Sequence, residues 1–205
     1  MSDWRHLAGD EWRRLLASAG VGAHLAEPLA AYLLLLARFE GAVDLIGRVD
    51  SGTLLREHVL EALAGLELVP EQGTLLDVGS GNGFPAIPLL LARPGVRGVL
   101  LEPRERRWGF LREVVRELAL SADVRREQLA RHRGGGYDVM TVRALGAPVW
   151  AGSAARLVGA AGALLWWTTA AAAGALAVAG MSRVITSPLP VPERGVIAVW
   201  RRCST

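Results

Sequence analysis

The chain has 205 residues, 51% of them hydrophobic and 21% charged, with a formal net charge of +3. That balance excludes a disordered chain, and the length suits one domain with an added element that buries a sizeable core. The lone cysteine, Cys203, excludes an internal disulfide framework and suits a reducing, cytoplasmic setting.

The opening Met1 to His6 lacks the basic-then-apolar pattern of a secretory signal. Apolar residues at helical spacing predict helices over Asp10 to Leu16, His24 to Arg38 and Thr53 to Leu66, the last ending before Pro70. The pattern then alternates between strand and helix. Leu75 to Val78 reads as a strand, Gly79 to Gly83 as a glycine loop, and Phe84 onward as a helix. Next come a strand over Gly98 to Glu102, a helix over Arg104 to Leu120, a strand near Val124 and a strand over Tyr137 to Val142. A helix over Val149 to Val158, a strand over Ala163 to Trp167 and a closing hairpin (Arg183 to Ser187, Gly195 to Arg201) complete the chain. This predicts an α/β fold, Rossmann-like, with a mainly parallel sheet covered on both faces. Residues 1–70 are expected to form a helical cap and 71–205 a ligand-binding domain.

Leu157 to Ser182 holds no charged residue over 26 positions, long enough to cross a bilayer. Its glycines, threonines and alanines make its hydropathy weak, and the alternation places a buried strand and an Ala-rich helix there. A soluble chain is expected.

Charge is unevenly placed. Residues 1–76 carry six arginines against eleven acids, and residues 77–205 carry seventeen against nine. An acidic front and a basic body suit a polyanionic partner for the second part. All 23 basic residues are arginine, which a biased genome composition would produce. No chemistry here can therefore rest on a tunable lysine amine.

The strongest motif is Asp77-Val78-Gly79-Ser80-Gly81-Asn82-Gly83. Glycines at alternate positions let the backbone turn tightly beside a ligand, and the following helix offers free N–H groups. Glu102, at the end of the next strand, can grip both hydroxyls of a ribose. A dinucleotide fingerprint would need glycine where Phe84 stands, and a phosphate-binding P-loop would need the absent lysine. The acid-then-glycine spacing instead resembles motif I of class I S-adenosylmethionine methyltransferases.

The resemblance extends further. The runs LLDVGSGNGFPAIPLLLARP, LLEPRERRWGFLREVVRELAL and YDVMTVRALGAP are similar to the RsmG family, also called glucose-inhibited division protein B. Phe84-Pro85-x-x-Pro88, the acid before Arg106-Arg107, Phe110-Leu111, Arg143-Ala144 and the front segment with Arg56-x-His58 carry the likeness. It implies a seven-stranded sheet with an antiparallel C-terminal hairpin. It also implies methyl transfer from S-adenosylmethionine to N7 of a guanine in the 530 loop of 16S rRNA, with the rRNA or the 30S subunit as partner. The implied cofactor residues are Asp77, Gly79, Ser80, Gly81, Gly83, Phe84, Glu102, Pro103, Arg126, Glu127 and Arg143, with Arg143 also at the reaction edge. His58, Arg104, Arg106, Arg107 and Thr168 are candidates for the RNA side. Two departures stand out: the family's Leu-Lys-Gly is Trp167-Thr168-Thr169 here, and family positions on the RNA side have become Phe39-Glu40-Gly41 and Asp44-Leu45-Ile46. A relative with another acceptor, or a non-catalytic binder, is the alternative these departures favour.

His58 reads equally as a substrate-orienting group or a packed helix histidine. The nine arginines against five acids from Arg104 to Arg133 read as a phosphate-contacting face or as a solvated helix with local ion pairs. Trp166-Trp167 reads first as core and second as a stacking surface for a base. The histidines and Cys203 lack metal-ligand spacing, so no metal is expected, nor a membrane partner, and the chain is expected to be monomeric.

Overall fold

The computed structural model describes residues 3–203. Its centre is a seven-stranded sheet in the order β3-β2-β1-β4-β5-β7-β6. β1 (Gln72–Val78) pairs in parallel with β2 (Gly95–Leu101) and β4 (Tyr137–Arg143); β3 (Ala122–Arg125) extends the β2 edge, and β5 (Val158–Thr168) follows β4. β7 (Val196–Arg202) runs antiparallel between β5 and β6 (Met181–Pro188), which is the expected C-terminal hairpin. The central strands are buried over consecutive positions, Leu75 to Val78 and Val139 to Val142, because both faces are covered, as parallel strands require; the polar Asp77 and Thr141 within them pair with each other. One face carries Leu76, Val78, Met140, Val142, Trp150, Leu164 and Trp200 in one core.

The other face shares its core with the front helices. α1 (Gly9–Ser18) and α2 (Ala23–Val43) bring Trp12, Leu16, Leu29, Leu33 and Leu36 into the cluster that holds Leu75, Leu100, Phe110 and Val139. Burying each such side chain contributes about 1.5–3 kcal/mol, so these helices are docked on the sheet by their largely apolar surfaces. α2 stops where Asp44 adopts a left-handed conformation (φ 52°). The turn beyond it is held by Glu40, 7% exposed, whose carboxylate accepts the backbone N–H groups of Leu45, Ile46 and Gly47 at 2.7–2.9 Å. The expectation that Glu40 presents an acid to an RNA face is therefore corrected. The three N–H donors of the turn that follows the helix draw the carboxylate inward, and Phe39 beside it packs edge-on against Phe110.

The third front helix is irregular. α3 (Ser51–Leu54), capped by Asp50 Oδ1 accepting from Thr53 N at 2.9 Å, runs into a π-helical turn (Leu55–Leu60) and then α4 (Glu61–Leu63). A π-helical turn inside an α-helix often marks a functional position, and His58 sits on this one.

α5 (Ala86–Ala92) follows the glycine loop, α6 (Glu105–Glu117) follows β2, and α7 (Ala147–Leu157) follows β4. The uncharged stretch from Leu157 resolves into β5, the six-residue α8 (Ala170–Ala175) and the start of β6. β5 begins directly at Val158, earlier than expected, because Gly159 and Gly162 let it pass the carbonyls of Gly136 and Tyr137 at close range. No helix among the described residues is long and apolar enough to cross a membrane.

Candidate active site

The segments that follow β1, β2, β3, β4 and β5 meet at the carboxyl edge of the parallel strands, where open α/β sheets bind ligands. They enclose a cleft with two halves. The first, about 420 Å³, is lined by Val78, Leu101 and Leu129 with Glu102, Glu127 and Gln128. The second, about 660 Å³, is lined by His58, Asn82, Phe84, Trp166, Thr168 and Arg194 among others. Gly79, Arg107, Arg143, Ala144 and Leu145 line both, so the two halves are continuous.

The glycine loop is shaped by what surrounds it. Gly79 has φ +73°, and a Cβ there would stand 2.6 Å from Leu145 Cδ1. Gly79 N and Ser80 N both donate to Leu101 O, tying the loop to the end of β2. From the front helices, Tyr32 O–H donates to Asn82 O at 2.5 Å, and Asn82 Nδ2 donates to Leu45 O at 3.1 Å. Tyr32 and Phe84 also pack ring on ring at 5.3 Å.

Glu102 is 3% exposed and accepts from Gly81 N at 2.9 Å and Arg104 N at 2.8 Å. It thus fixes the loop while lining the first cavity. Asp77 lies beneath the loop and lines neither cavity: Oδ1 accepts from Thr141 Oγ1 at 2.6 Å, and Oδ2 is buried without a partner among the described residues. Burial pushes its carboxyl up to about 6, partly offset by hydrogen bonds.

Arg143, from the last position of β4, stands where the cavities join. Its Nη2 donates to Glu57 O and to Glu61 Oε2, each at 2.6 Å, while its buried Nη1 has no partner among the described residues. Glu61, with its side chain 2% exposed, also accepts from Arg194 Nε at 2.7 Å, and Arg194 reaches Glu57 as well. Burial lowers the Arg143 pKa, opposed chiefly by the charge of Glu61. His58 lines the second cavity with its ring 5.4 Å from Phe84. Burial first, and then the charges of Arg143 and Arg194, hold it at about 4, so it is neutral at neutral pH.

Other expected residues divide. Ser80, Gly81 and Phe84 line the second cavity, Pro103, Arg104 and Glu127 the first, and Thr168 the second; Arg107 lines both and donates to Asp44 O at 3.1 Å. Gly83 sits at the base of the loop, its N–H donating to Ser80 O. Arg126 turns to Glu105 at 3.2 Å and lines neither half, and exposed Arg106 lies outside both. Arg116 and Arg125 are paired with Glu113, Glu117 and Asp123. Trp166 and Trp167 are core residues at the cavity edge. Trp166 clusters with Trp150 and Trp200, and Trp167 Nε1 donates to Glu61 O at 2.7 Å.

Sequence reasoning missed Tyr32, Glu61, Gln128, His132, Leu145 and Arg194. Leu145 was signalled by its neighbours Arg143-Ala144, and Ala144 carries a strained φ of +57°. The others had no local signal. Among the described residues, no group of three or more His, Cys, Asp or Glu could hold a metal ion.

Residues 25–167 match the family model described as GidB, rRNA small subunit methyltransferase G. The chain belongs to this family. A ribosomal RNA small subunit methyltransferase G from Stenotrophomonas maltophilia is 40% identical over 134 residues, covering 63% of this chain and 62% of the relative. One from Alkalilimnicola ehrlichii is 42% identical over 124 residues, covering 60% and 56%. The matched stretch thus spans less than two thirds of these GidB relatives. Among solved structures, a mutant of MtNAS in complex with S-adenosylmethionine aligns with TM-score 0.59 at 17% identity, over 97% of this chain and 85% of that one. That likeness shows the Rossmann-like α/β fold alone. Most of α2, the irregular helix that carries His58 and the glycine loop fall inside the GidB match, whereas α1 precedes it.

Proposed function

We propose that this chain uses S-adenosylmethionine to methylate N7 of a guanine in 16S rRNA, bare or within the 30S subunit, as a cytoplasmic monomer without a metal. The observation that carries this reading is the continuous two-part cleft at the carboxyl edge of the sheet. Family membership supplies the small-subunit rRNA substrate class.

The residues fit the cofactor. Gly79, Gly81 and Gly83 all have positive φ, and side chains at Gly79 and Gly83 would collide with the loop's neighbours. The loop would hold the methionine portion, Glu102 the ribose hydroxyls, and the apolar walls of Leu101, Leu129 and Leu145 the adenine. When bound, S-adenosylmethionine supplies an electrophilic methyl on a positively charged sulfur.

Guanine N7 has a free in-plane lone pair, so the chain needs no general base. Its residues act by alignment, which supplies much of the barrier reduction when nucleophile and electrophile are held in line. The second cavity would admit the acceptor base beside Phe84 and neutral His58. Arg143, neutralised by Glu61, sets the junction without placing a bare cation beside the sulfur. Arg104, which precedes α6, and Arg107 on it line the cleft, and with exposed Arg106 outside it they would receive phosphates.

The test is incubation with methyl-labelled S-adenosylmethionine and 30S particles or 16S rRNA lacking this modification, followed by mapping of the label. Label at a guanine N7 is expected. Absence of label on both substrates, with folded protein that binds the cofactor, would overturn the rRNA assignment and favour another acceptor.

A further inference from the structure

Glu127 stands on the wall of the first cavity, and a buried network behind it leaves it little freedom. His132 is fully buried; its Nδ1 lies 2.6 Å from Glu127 Oε1 and its Nε2 lies 2.9 Å from the Tyr137 hydroxyl. An ionised carboxylate can only accept, so Nδ1 is the donor to Glu127. Nε2 makes the second hydrogen bond of the ring, to the Tyr137 hydroxyl, which can donate or accept as the ring requires. The resulting chain runs Tyr137 to His132 to Glu127.

The loop is built around this ring. Arg156 on α7 donates to His132 O at 3.1 Å and to Gly134 O at 2.8 Å. A Cβ on Gly134 would stand 2.5 Å from both His132 Nε2 and the Tyr137 hydroxyl, so the loop closes on the imidazole with no room to spare. Arg125 Nη1 lies 4.0 Å from Glu127 Oε1, and no hydrogen bond to Glu127 Oε2 is found within the described residues. A carboxylate fixed through one oxygen beside an apolar slot is a directional acceptor for an exocyclic amine on a purine, and it repels an exocyclic carbonyl at the same place.

We propose that His132, fixed by Tyr137, is a positioning residue that holds the Glu127 carboxylate on the cavity wall and thereby makes the cavity selective for a purine bearing an exocyclic amine. The inference rests on reading the first cavity as the nucleoside end of the cofactor site.

The test measures binding, not turnover. Affinities for S-adenosylhomocysteine and for its deaminated counterpart S-inosylhomocysteine are compared by calorimetry on the full chain. The unmodified chain is expected to prefer the amine-bearing ligand at least tenfold, the scale of a hydrogen bond to a charged group. Tyr137→Phe and His132→Leu are expected to cut that preference about tenfold, whereas His132→Asn, which keeps an N–H donor where Nδ1 stands, restores most of it. Loss of affinity for both ligands in equal proportion would mean a merely structural role and overturn the inference, as would a preference within about twofold of the unmodified chain in folded Tyr137→Phe and His132→Leu. Failure of the unmodified chain to bind S-adenosylhomocysteine at all would instead overturn the cofactor reading on which the inference stands.

Discussion

Arg143 reaches 82 positions back along the chain to donate to Glu61 across 2.6 Å, joining the last residue of β4 to the helix that carries His58. Both side chains are largely removed from water, 15% and 2% exposed, so the pair sets the junction of the two cavities as a buried unit. Removing one member strands the other's charge, which costs far more than the pair itself contributes.

Glu61→Gln is therefore expected to lower unfolding stability by about 3 kcal/mol or more, read from urea midpoints with an unchanged denaturant slope. Arg194→Gln, whose side chain is 40% exposed, should cost about 1 kcal/mol or less. Equal losses for the two would contradict the burial argument.

The glycine loop offers a contrast between neighbouring positions. Gly83 has φ +93°, and a Cβ there would stand 2.7 Å from both Ile87 Cγ1 and Tyr32 Oη; at Gly81 (φ +53°) the nearest atom is Arg107 Nη1 at 3.5 Å. Gly83→Ala should therefore displace Tyr32 from Asn82, lose about 2 kcal/mol or more of stability and abolish cofactor binding. Gly81→Ala should cost about 1 kcal/mol from backbone strain alone. Thermal unfolding and S-adenosylhomocysteine titration of both variants would decide it.

His58 predicts an acid-side loss of stability. Its native value of about 4 lies below the ordinary 6.5, so between those values the unfolded chain binds a proton that the native chain refuses. The contribution is fully present above pH 6.5 and is lost as the pH falls through 4, amounting to at most roughly 3 kcal/mol. His58→Phe should flatten the stability profile over that window, and an unchanged profile would show that the imidazole is not desolvated.

Asp77 acts with the opposite sign. Its native value of about 6 lies above the ordinary 3.8, so its contribution is fully present below pH 3.8 and is lost as the pH rises through 6. Asp77→Asn, neutral at every pH, should raise stability relative to the unmodified chain at pH 8 by up to roughly 3 kcal/mol and by little at pH 4. A variant less stable at pH 8 than at pH 4, relative to the same reference, would show that the ionised carboxylate is stabilised by its surroundings.

The local sequence by itself determined the alternating fold, the loop from Asp77 to Gly83 and the placing of an acid, Glu102, beside that loop. Each rests on a signal a few residues long: hydrophobic period, glycine spacing, or the acid at a strand's end. Tertiary structure alone decided which way the polar side chains turn. Glu40 reads as a surface acid but holds the turn that follows its own helix, Arg126 turns to Glu105, and Glu127 stays on the cavity wall because His132 and Tyr137 hold it. Arg143, Glu61 and Arg194 are separated by 82 and 133 positions and meet only because β4, the front helix and the β6–β7 turn converge at one edge of the sheet. Such pairings depend on desolvation and on partners distant in the chain, and no local period encodes either.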